Sequence, residues 1–290
     1  MSLSLGDRAV GDGPTLVVAE IGSNHDGDLE RALALIDAAA AAGADAVQFH
    51  SFRAGRAGAV PDRAIPDRAA AETQSHRARV ELRTEWHARL RERASTRGLV
   101  FLATPFDEER ATLLAALGVP AFPVAACDLE RTPLLRAVGG FGRPVLLGVA
   151  GAGRDAIDAA LVAIGEGAGA PPRRPPVVLV TGPNGSDGAA LHGVGRLDER
   201  YACLVGWSDR QTTPVLALGA VARGACLVVK PFTDDRGRRG PEHASALDPA
   251  AFTAMVAAIR ELEPALGEPR TRRGPLPAGR PVVERVGRIR

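Results

Sequence analysis

Leu16-Val-Val-Ala-Glu-Ile21, then Leu29–Ala42, then Ala46-Val-Gln-Phe49 decide the fold. The outer two are short apolar, β-branched runs; the stretch between them is Ala-rich, amphipathic and of helical length. Strand, helix, strand in that order is a βαβ unit, which feeds a parallel sheet. Gly43 sits where a helix ends in a left-handed residue. The unit then repeats. Apolar runs recur at Val100–Ala103, Ala121–Ala125, Val145–Val149, Val177–Val180, Cys203–Val205 and Leu227–Val229. Helical stretches lie at Arg83–Thr96, Glu108–Leu117, Pro133–Val138, Asp155–Ile164, Thr212–Ala222 and Pro249–Leu262, with Gly98 ending one and Asp248-Pro249 capping another. The sixth crossover, Gly182–Arg200, is rich in glycine and is the weakest helical stretch. Eight such units predict an α/β fold, a TIM (β/α)8 barrel over residues 1–266. Residues 267–290, rich in Pro, Gly and Arg, read as a tail. Arg53–Leu82 reads as a long polar loop placed to cover the barrel mouth, where active sites of this fold lie.

The chain has 290 residues, 46% hydrophobic and 24% charged, with mean hydropathy of zero. A net charge of +2 is too small for a nucleic-acid footprint. No run approaches the roughly 18 apolar residues of a membrane span, and nothing at Met1–Arg8 reads as a signal peptide. Cys127, Cys203 and Cys226 are odd in number and widely spaced, which points to a reducing cytoplasm and away from a disulfide framework. The expected partner is a small-molecule substrate, with no nucleic acid and no membrane; a homodimer is the one assembly considered. Arginine is abundant and lysine occurs once, at Lys230. GC-rich coding explains the bias, and it singles out that ammonium.

Three stretches carry a resemblance: Ala19-Glu-Ile-Gly-Ser-Asn-His-Asp-Gly27 with Ala42-Gly-Ala-Asp-Ala-Val-Gln-Phe-His50; Phe101-Leu-Ala-Thr-Pro-Phe-Asp107 with Leu117-Gly-Val-Pro-Ala121; and Val205-Gly-Trp-Ser-Asp209, Lys230 and Gly240-Pro-Glu-His-Ala-Ser-Ala-Leu-Asp-Pro249. In this order and spacing, over about residues 15–266, the chain resembles the catalytic barrel of the sialic acid synthase family. The resemblance implies condensation of phosphoenolpyruvate with an N-acetylhexosamine-type sugar, and a divalent metal held by two histidines. At those two positions the chain has Arg210, in Ser208-Asp209-Arg210, and Pro231, in Lys230-Pro231-Phe232. Neither ligates a metal, so no cofactor and no divalent metal is expected. Lysines implied for the phosphate and carboxylate of phosphoenolpyruvate are replaced by Gln48 and by Phe122-Pro123-Val124; a Ser-Thr-Gly turn is replaced by Gly148-Val149-Ala150. The family's C-terminal antifreeze-like domain is expected to be absent. Arg53, Arg56 or Arg63 could supply compensating charge, since a guanidinium binds phosphate bidentately.

At the mouth, His25, Asp26, His50, Lys230 and Arg210 form the expected catalytic set. Asp26 either serves chemistry or caps the helix at Leu29. His25 beside it is an acid/base candidate. Gln48 and His50 alternate with Val47 and Phe49 and should point into the barrel, whereas His76 and His87 read as solvated. Lys230 either faces the mouth, binding a carboxylate or forming a Schiff base, or pairs with Asp209 or Glu20. Glu20, Asn24, Gln48, Arg53, Thr104, Asp128, Asn184, Ser208, Asp209 and His243 are the expected substrate-binding residues, with Asp128 and Asp209 completing a ring of carboxylates. Glu242 and His243 belong to the loop before the last helix and either shape the site's edge or fix the backbone. A metal site built from His25, His50, Asp26 and Asp209 lacks ligand spacing to support it. The leading expectation is a repurposed enzyme of carbohydrate or specialised biosynthesis. Its chemistry would be acid/base or aldol-type, making or breaking C–C bonds, on a sugar-like or carboxylated metabolite. A phosphoenolpyruvate-condensing synthase and a non-catalytic binding barrel are the alternatives.

Overall fold

The apolar runs become the strands of a single ring. A computed structural model describes residues 2–55, 70–169, 175–183 and 190–267. A short hairpin, β1 (Leu3–Leu5) and β2 (Arg8–Val10), precedes eight parallel strands: β3 (Leu16–Gly22), β4 (Ala46–Ser51), β5 (Val100–Pro105), β6 (Phe122–Val124), β7 (Val145–Gly148), β8 (Val177–Thr181), β9 (Leu204–Ser208) and β10 (Leu227–Pro231). They pair in the order β5-β4-β3-β10-β9-β8-β7-β6, and β5 lies beside β6 to complete a TIM barrel. The helices are α1 (Leu29–Ala41), α2 (Ala70–Val80), α3 (Trp86–Thr96), α4 (Glu108–Leu117), α5 (Thr132–Gly140), α6 (Arg154–Gly167), α7 (Ala190–Tyr201), α8 (Val215–Ala222) and α9 (Pro249–Ala265).

Successive strand residues face opposite sides of a sheet. Val17, Ala19, Ile21, Val47 and Phe49 pack outward with the helices' apolar stripes, for example Leu35, Ile36 and Leu90. Leu16, Val18, Ala46, Leu102, Leu146, Val178, Leu204 and Leu227 fill the barrel's interior. Leu3, Leu5 and Val10 of the hairpin join that interior cluster and plug its N-terminal end. The caps are as the sequence requires: Asp248 accepts from Ala251 N at 2.9 Å, and Gly43 and Gly98 have φ of +84° and +71°.

Two sequence expectations change. The stretch 53–82 is not all loop: α2 occupies 70–80, because its Ala-rich start favours a helix although it has no apolar stripe. The cap of α1 is Asp28, accepting from Arg31 N at 3.2 Å, and not Asp26. The tail from 268 onward lies outside the described residues.

Strand parity also removes Lys230 from the mouth. Val229 faces the interior, so Lys230 faces outward, beneath the β9–α8 connection. There Nζ donates to Asp209 Oδ1 and to the Gln211 carbonyl, both at 2.5 Å, and both side chains are wholly buried. Asp209 accepts in addition from Trp207 Nε1 (2.5 Å) and Gln211 N (2.9 Å). Burial pulls the Lys230 pKa down, and the Asp209 charge opposes that. Lys230 and Asp209 are a structural clamp. Lys230→Ala leaves Asp209 buried and unpaired, and should cost about 3–5 kcal/mol in urea unfolding.

Two histidines expected at the mouth or in solvent are also packed outside the barrel. His25 is fully buried against Phe49 and Trp86, with ring centroids 6.3 and 6.2 Å away, and its Nδ1 accepts from Gly27 N at 3.1 Å. His87 is buried too; Ser51 Oγ lies 2.8 Å from its Nε2 and the Arg83 carbonyl 3.0 Å from its Nδ1. Burial lowers the pKa of each to about 4, against the pull of Asp26 on His25 and with added repulsion from Arg110 on His87. The folded state thus holds both rings neutral where the unfolded chain protonates them. Below about pH 6.5 the unfolded state binds more protons, so stability falls as pH drops from 6.5 toward 4, by roughly 1.4 kcal/mol per pKa unit per ring. Urea midpoints should be flat above pH 7 with respect to these two groups and decline steeply through that window.

Candidate active site

The inward face of β3 continues past Leu16 and Val18 to Glu20, that of β4 past Ala46 to Gln48 and His50, and that of β5 past Leu102 to Thr104. With the same two-residue step, β9 contributes Ser208. These polar positions form the layer above the apolar interior and line a cavity of about 990 Å³, within the range of small-molecule sites. Gln48 Nε2 donates to Glu20 Oε1 (3.3 Å) and Thr104 Oγ1 (3.2 Å), so the amide holds the carboxylate in place. Glu20 Oε1 is also 3.2 Å from His50 Nε2.

A second carboxylate comes from the far end of the chain. Glu242 Oε2 lies 3.8 Å from His50 Nδ1 and accepts from Ser23 N (3.2 Å) and Ser23 Oγ (2.8 Å). Its other oxygen accepts from Arg210 Nη2 at 3.2 Å. Gly22 makes this approach feasible: at φ +55° a side chain is disfavoured, and a Cβ there would stand 2.8 Å from Glu242 Oε2 and 3.0 Å from His50 Cε1. His50 is therefore an imidazole between two carboxylates. Burial works against its charged form, yet Glu242 and then Glu20 outweigh it and raise the pKa above the usual value. Glu242 is driven the other way: burial favours its neutral acid, but His50, Arg210 and Ser23 bring it down to about 2. Arg210, half-exposed at the cavity wall, is held firmly protonated by Glu242 and Glu20 against the effect of burial.

Of the expected residues, Glu20, Gln48, His50, Thr104, Ser208 and Arg210 line this cavity. Others do not. Asn24 Nδ2 donates to the Phe232 carbonyl (2.9 Å), and Asp26 pairs with Arg31 (3.0 Å) and His243 Nε2 (3.2 Å). His243 spends Nδ1 on Thr233 Oγ1 at 2.7 Å. Arg53 pairs with Glu109 at the surface. Asp128 is buried against Arg131 (3.1 Å), with burial pushing its carboxyl pKa up, so the expected ring of carboxylates does not form. His25, Lys230 and Asp209 belong to the outer layer described above. Asn184, Arg56 and Arg63 lie outside the described residues. The expectation also undervalued Glu242 and Ser23; a carboxylate two residues past Gly240 in the loop after the last strand was the available signal. His76, which read as solvated, lines the cavity beside Arg77 from α2.

The two positions where the resemblance implies metal-binding histidines hold a guanidinium, bonded to Glu242, and the pyrrolidine ring of Pro231. Neither has a free lone pair to donate, and among the described residues no cluster of three or more His, Cys, Asp or Glu side chains is arranged to hold a metal ion. The donor set does not fit that metal.

Comparison with known proteins places this geometry in a lineage. Residues 35–271 match the NeuB family. The chain is 31% identical to the N,N'-diacetyllegionaminic acid synthase of Campylobacter jejuni, over 88% of this chain and 78% of that protein. It is 34% identical to the spore coat polysaccharide biosynthesis protein SpsE of Bacillus subtilis, over 90% and 71%. The crystal structure of an N-acetylneuraminic acid synthetase from Leptospira borgpetersenii, in complex with citrate, superposes with a TM-score of 0.82 at 26% identity, covering 94% of this chain and 93% of that one. With its barrel, its motif order and a match over most of its length, the chain belongs to the NeuB family.

Proposed function

We propose that this member of the family is an enzyme of carbohydrate or specialised biosynthesis whose reaction is acid/base or aldol-type, on a sugar-like or carboxylated small molecule, and that it works without a divalent metal. One observation carries the reading: His50, with Glu20 on Nε2 and Glu242 facing Nδ1, opens onto the same cavity as Arg210. With Glu20 accepting from Nε2–H and Glu242 facing the buried Nδ1, the imidazole exchanges its proton with a ligand hydroxyl or the carbon beside a carbonyl through these two cavity-lining carboxylates. The raised pKa favours the protonated imidazole, the form that can act as a general acid. Arg210, steadied by Glu242, supplies fixed positive charge to an oxygen that becomes negative as the C–C bond forms or breaks. Gln48 and Thr104 orient Glu20 and offer hydrogen bonds to hydroxyl groups.

The likeness to the C. jejuni synthase favours a second reading, a condensation that consumes phosphoenolpyruvate. Metal-stimulated phosphate release from phosphoenolpyruvate with N-acetylmannosamine, abolished by EDTA, would establish it; the first reading expects neither. For the first reading, His50→Gln keeps a partner for Glu20 and removes the titrating ring. On the substrate identified by metabolite screening it should lower kcat by about 10²-fold or more, erase the limb of the pH profile that belongs to the imidazole, and leave Tm nearly unchanged. Full activity in this variant would sink the His50 assignment.

A further inference from the structure

Glu242 reaches His50 from within the connection between β10 and α9, residues 232–248. Backbone bonds close that connection at its base: Thr233 N donates to the Leu247 carbonyl (3.0 Å) and Leu247 N to the Pro231 carbonyl (2.8 Å). Further out, Ser23 holds the Glu242 carboxylate through the two hydrogen bonds described above. A glutamate has several rotatable bonds, however, and its carboxylate stays in one place only where its own Cα is held as well.

The next residue holds it. His243 is buried, and its two ring nitrogens tie different parts of the fold. Nδ1 meets Thr233 Oγ1 at 2.7 Å and joins the two arms of the connection; Nε2 donates to Asp26 Oδ1 at 3.2 Å and joins them to the turn after β3. The other oxygen of Asp26 pairs with Arg31 at 3.0 Å, and Arg31 gives its second terminal nitrogen to Asp234 at 2.8 Å. Both Asp26 oxygens are thus engaged, and the carboxylate cannot rotate without losing a partner. Gly240 is fitted against this pair, since a Cβ there would stand 2.6 Å from His243 Cδ2. Asp26 itself has φ of +53°, a left-handed conformation that Asp and Asn tolerate better than most residues and that persists where its surroundings over-determine it. Its N–H donates to the Ser23 carbonyl at 3.1 Å. One turn therefore supplies both grips, Ser23 on the Glu242 carboxylate and Asp26 on the residue beside it.

We propose that Asp26 and His243 are positioning residues: the chain Asp26–His243–Thr233 fixes the last connection so that Glu242 faces His50. Neither side chain lines the cavity, so both act through Glu242. The consequence for chemistry rests on the His50 reading, whereas the placement of Glu242 is measurable without turnover. The groups that face His50 are Glu20 from β3, Glu242 from this connection, Arg210 from the β9–α8 connection and the ring of His25 from the turn after β3.

The probe is the His50 imidazole, titrated by NMR in the full chain labelled at histidine, with no ligand added; His50→Gln assigns its resonance. Glu242→Gln gives the His50 pKa without the second carboxylate. His243→Leu and Asp26→Gly each remove the tie, and glycine keeps the left-handed turn; each should lower the His50 pKa by about one unit, toward the Glu242→Gln value. Asp26→Asn loses the charge but keeps an oxygen for His243 Nε2–H, and should leave His50 close to its original value. In the Glu242→Gln background Asp26→Gly should add no further fall, because its effect passes through Glu242. If His243→Leu fails to fold, Asp26→Gly at its partly exposed position decides. An unchanged His50 pKa in Asp26→Gly overturns the proposal. So does an equal fall in Asp26→Asn or a further fall in the Glu242→Gln background, either of which makes Asp26 a direct charge on His50. Full turnover in His50→Gln sinks the catalytic assignment and leaves these titrations standing, so the two failures are distinguishable.

Discussion

A strand in this barrel can send a side chain only inward or outward, and which way is fixed by counting in twos from any neighbour of known direction. The polar groups on or next to the strands near the mouth are sorted by that rule. Glu20, Gln48 and His50 continue the inward series of Leu16, Val18 and Ala46; Lys230 and Asp209 continue the outward series of Val228, Val205 and Trp207. The first group meets the cavity. The second is sealed between barrel and helices, where an ammonium and a carboxylate are tolerable only as a hydrogen-bonded pair.

Electrostatic balance inside the cavity follows from that sorting. Two carboxylates flank His50, and one guanidinium offsets them from the wall. Had Lys230 faced inward, a second cation would stand within the cluster and the imidazole would lose the charge imbalance that raises its pKa. The same logic separates three of the histidines. His50 has acidic partners on both nitrogens and rises; His25 and His87 have aromatic, backbone or hydroxyl partners and fall.

The eight-unit architecture was legible in the sequence because parallel strands buried on both faces read as continuous apolar runs, separated by helical periods. Gln48, His50 and Thr104 were legible for the same reason: each lies in or beside a run whose phase is known. For Lys230 the sequence left two readings open, the mouth and a pair with Asp209; it follows Val229 immediately, and that one residue of phase turns it outward to the pair. Glu242 was harder, since nothing local says where a loop after the last strand will land. Its position depends on β10 pairing with β3, which brings Pro231 beside Glu20. α2 stayed hidden because a polar helix without an apolar stripe resembles a loop in hydrophobic pattern.

Ser23 and Glu242 are 219 positions apart in the chain, yet two hydrogen bonds join them. The site thus straddles the seam where the first and last βα units meet. A ribosome finishing this chain releases the acidic partner of His50 only after nearly the whole ring exists, and contacts of such long sequence separation form at a high loop-closure cost. A complete cluster at the mouth is consequently a report that the ring has closed: a partly built barrel has its inward histidine and Glu20 but not the opposing carboxylate. Incomplete chains would carry the scaffold's first strands without the paired carboxylates, and a nascent protein would complete that cluster last of all.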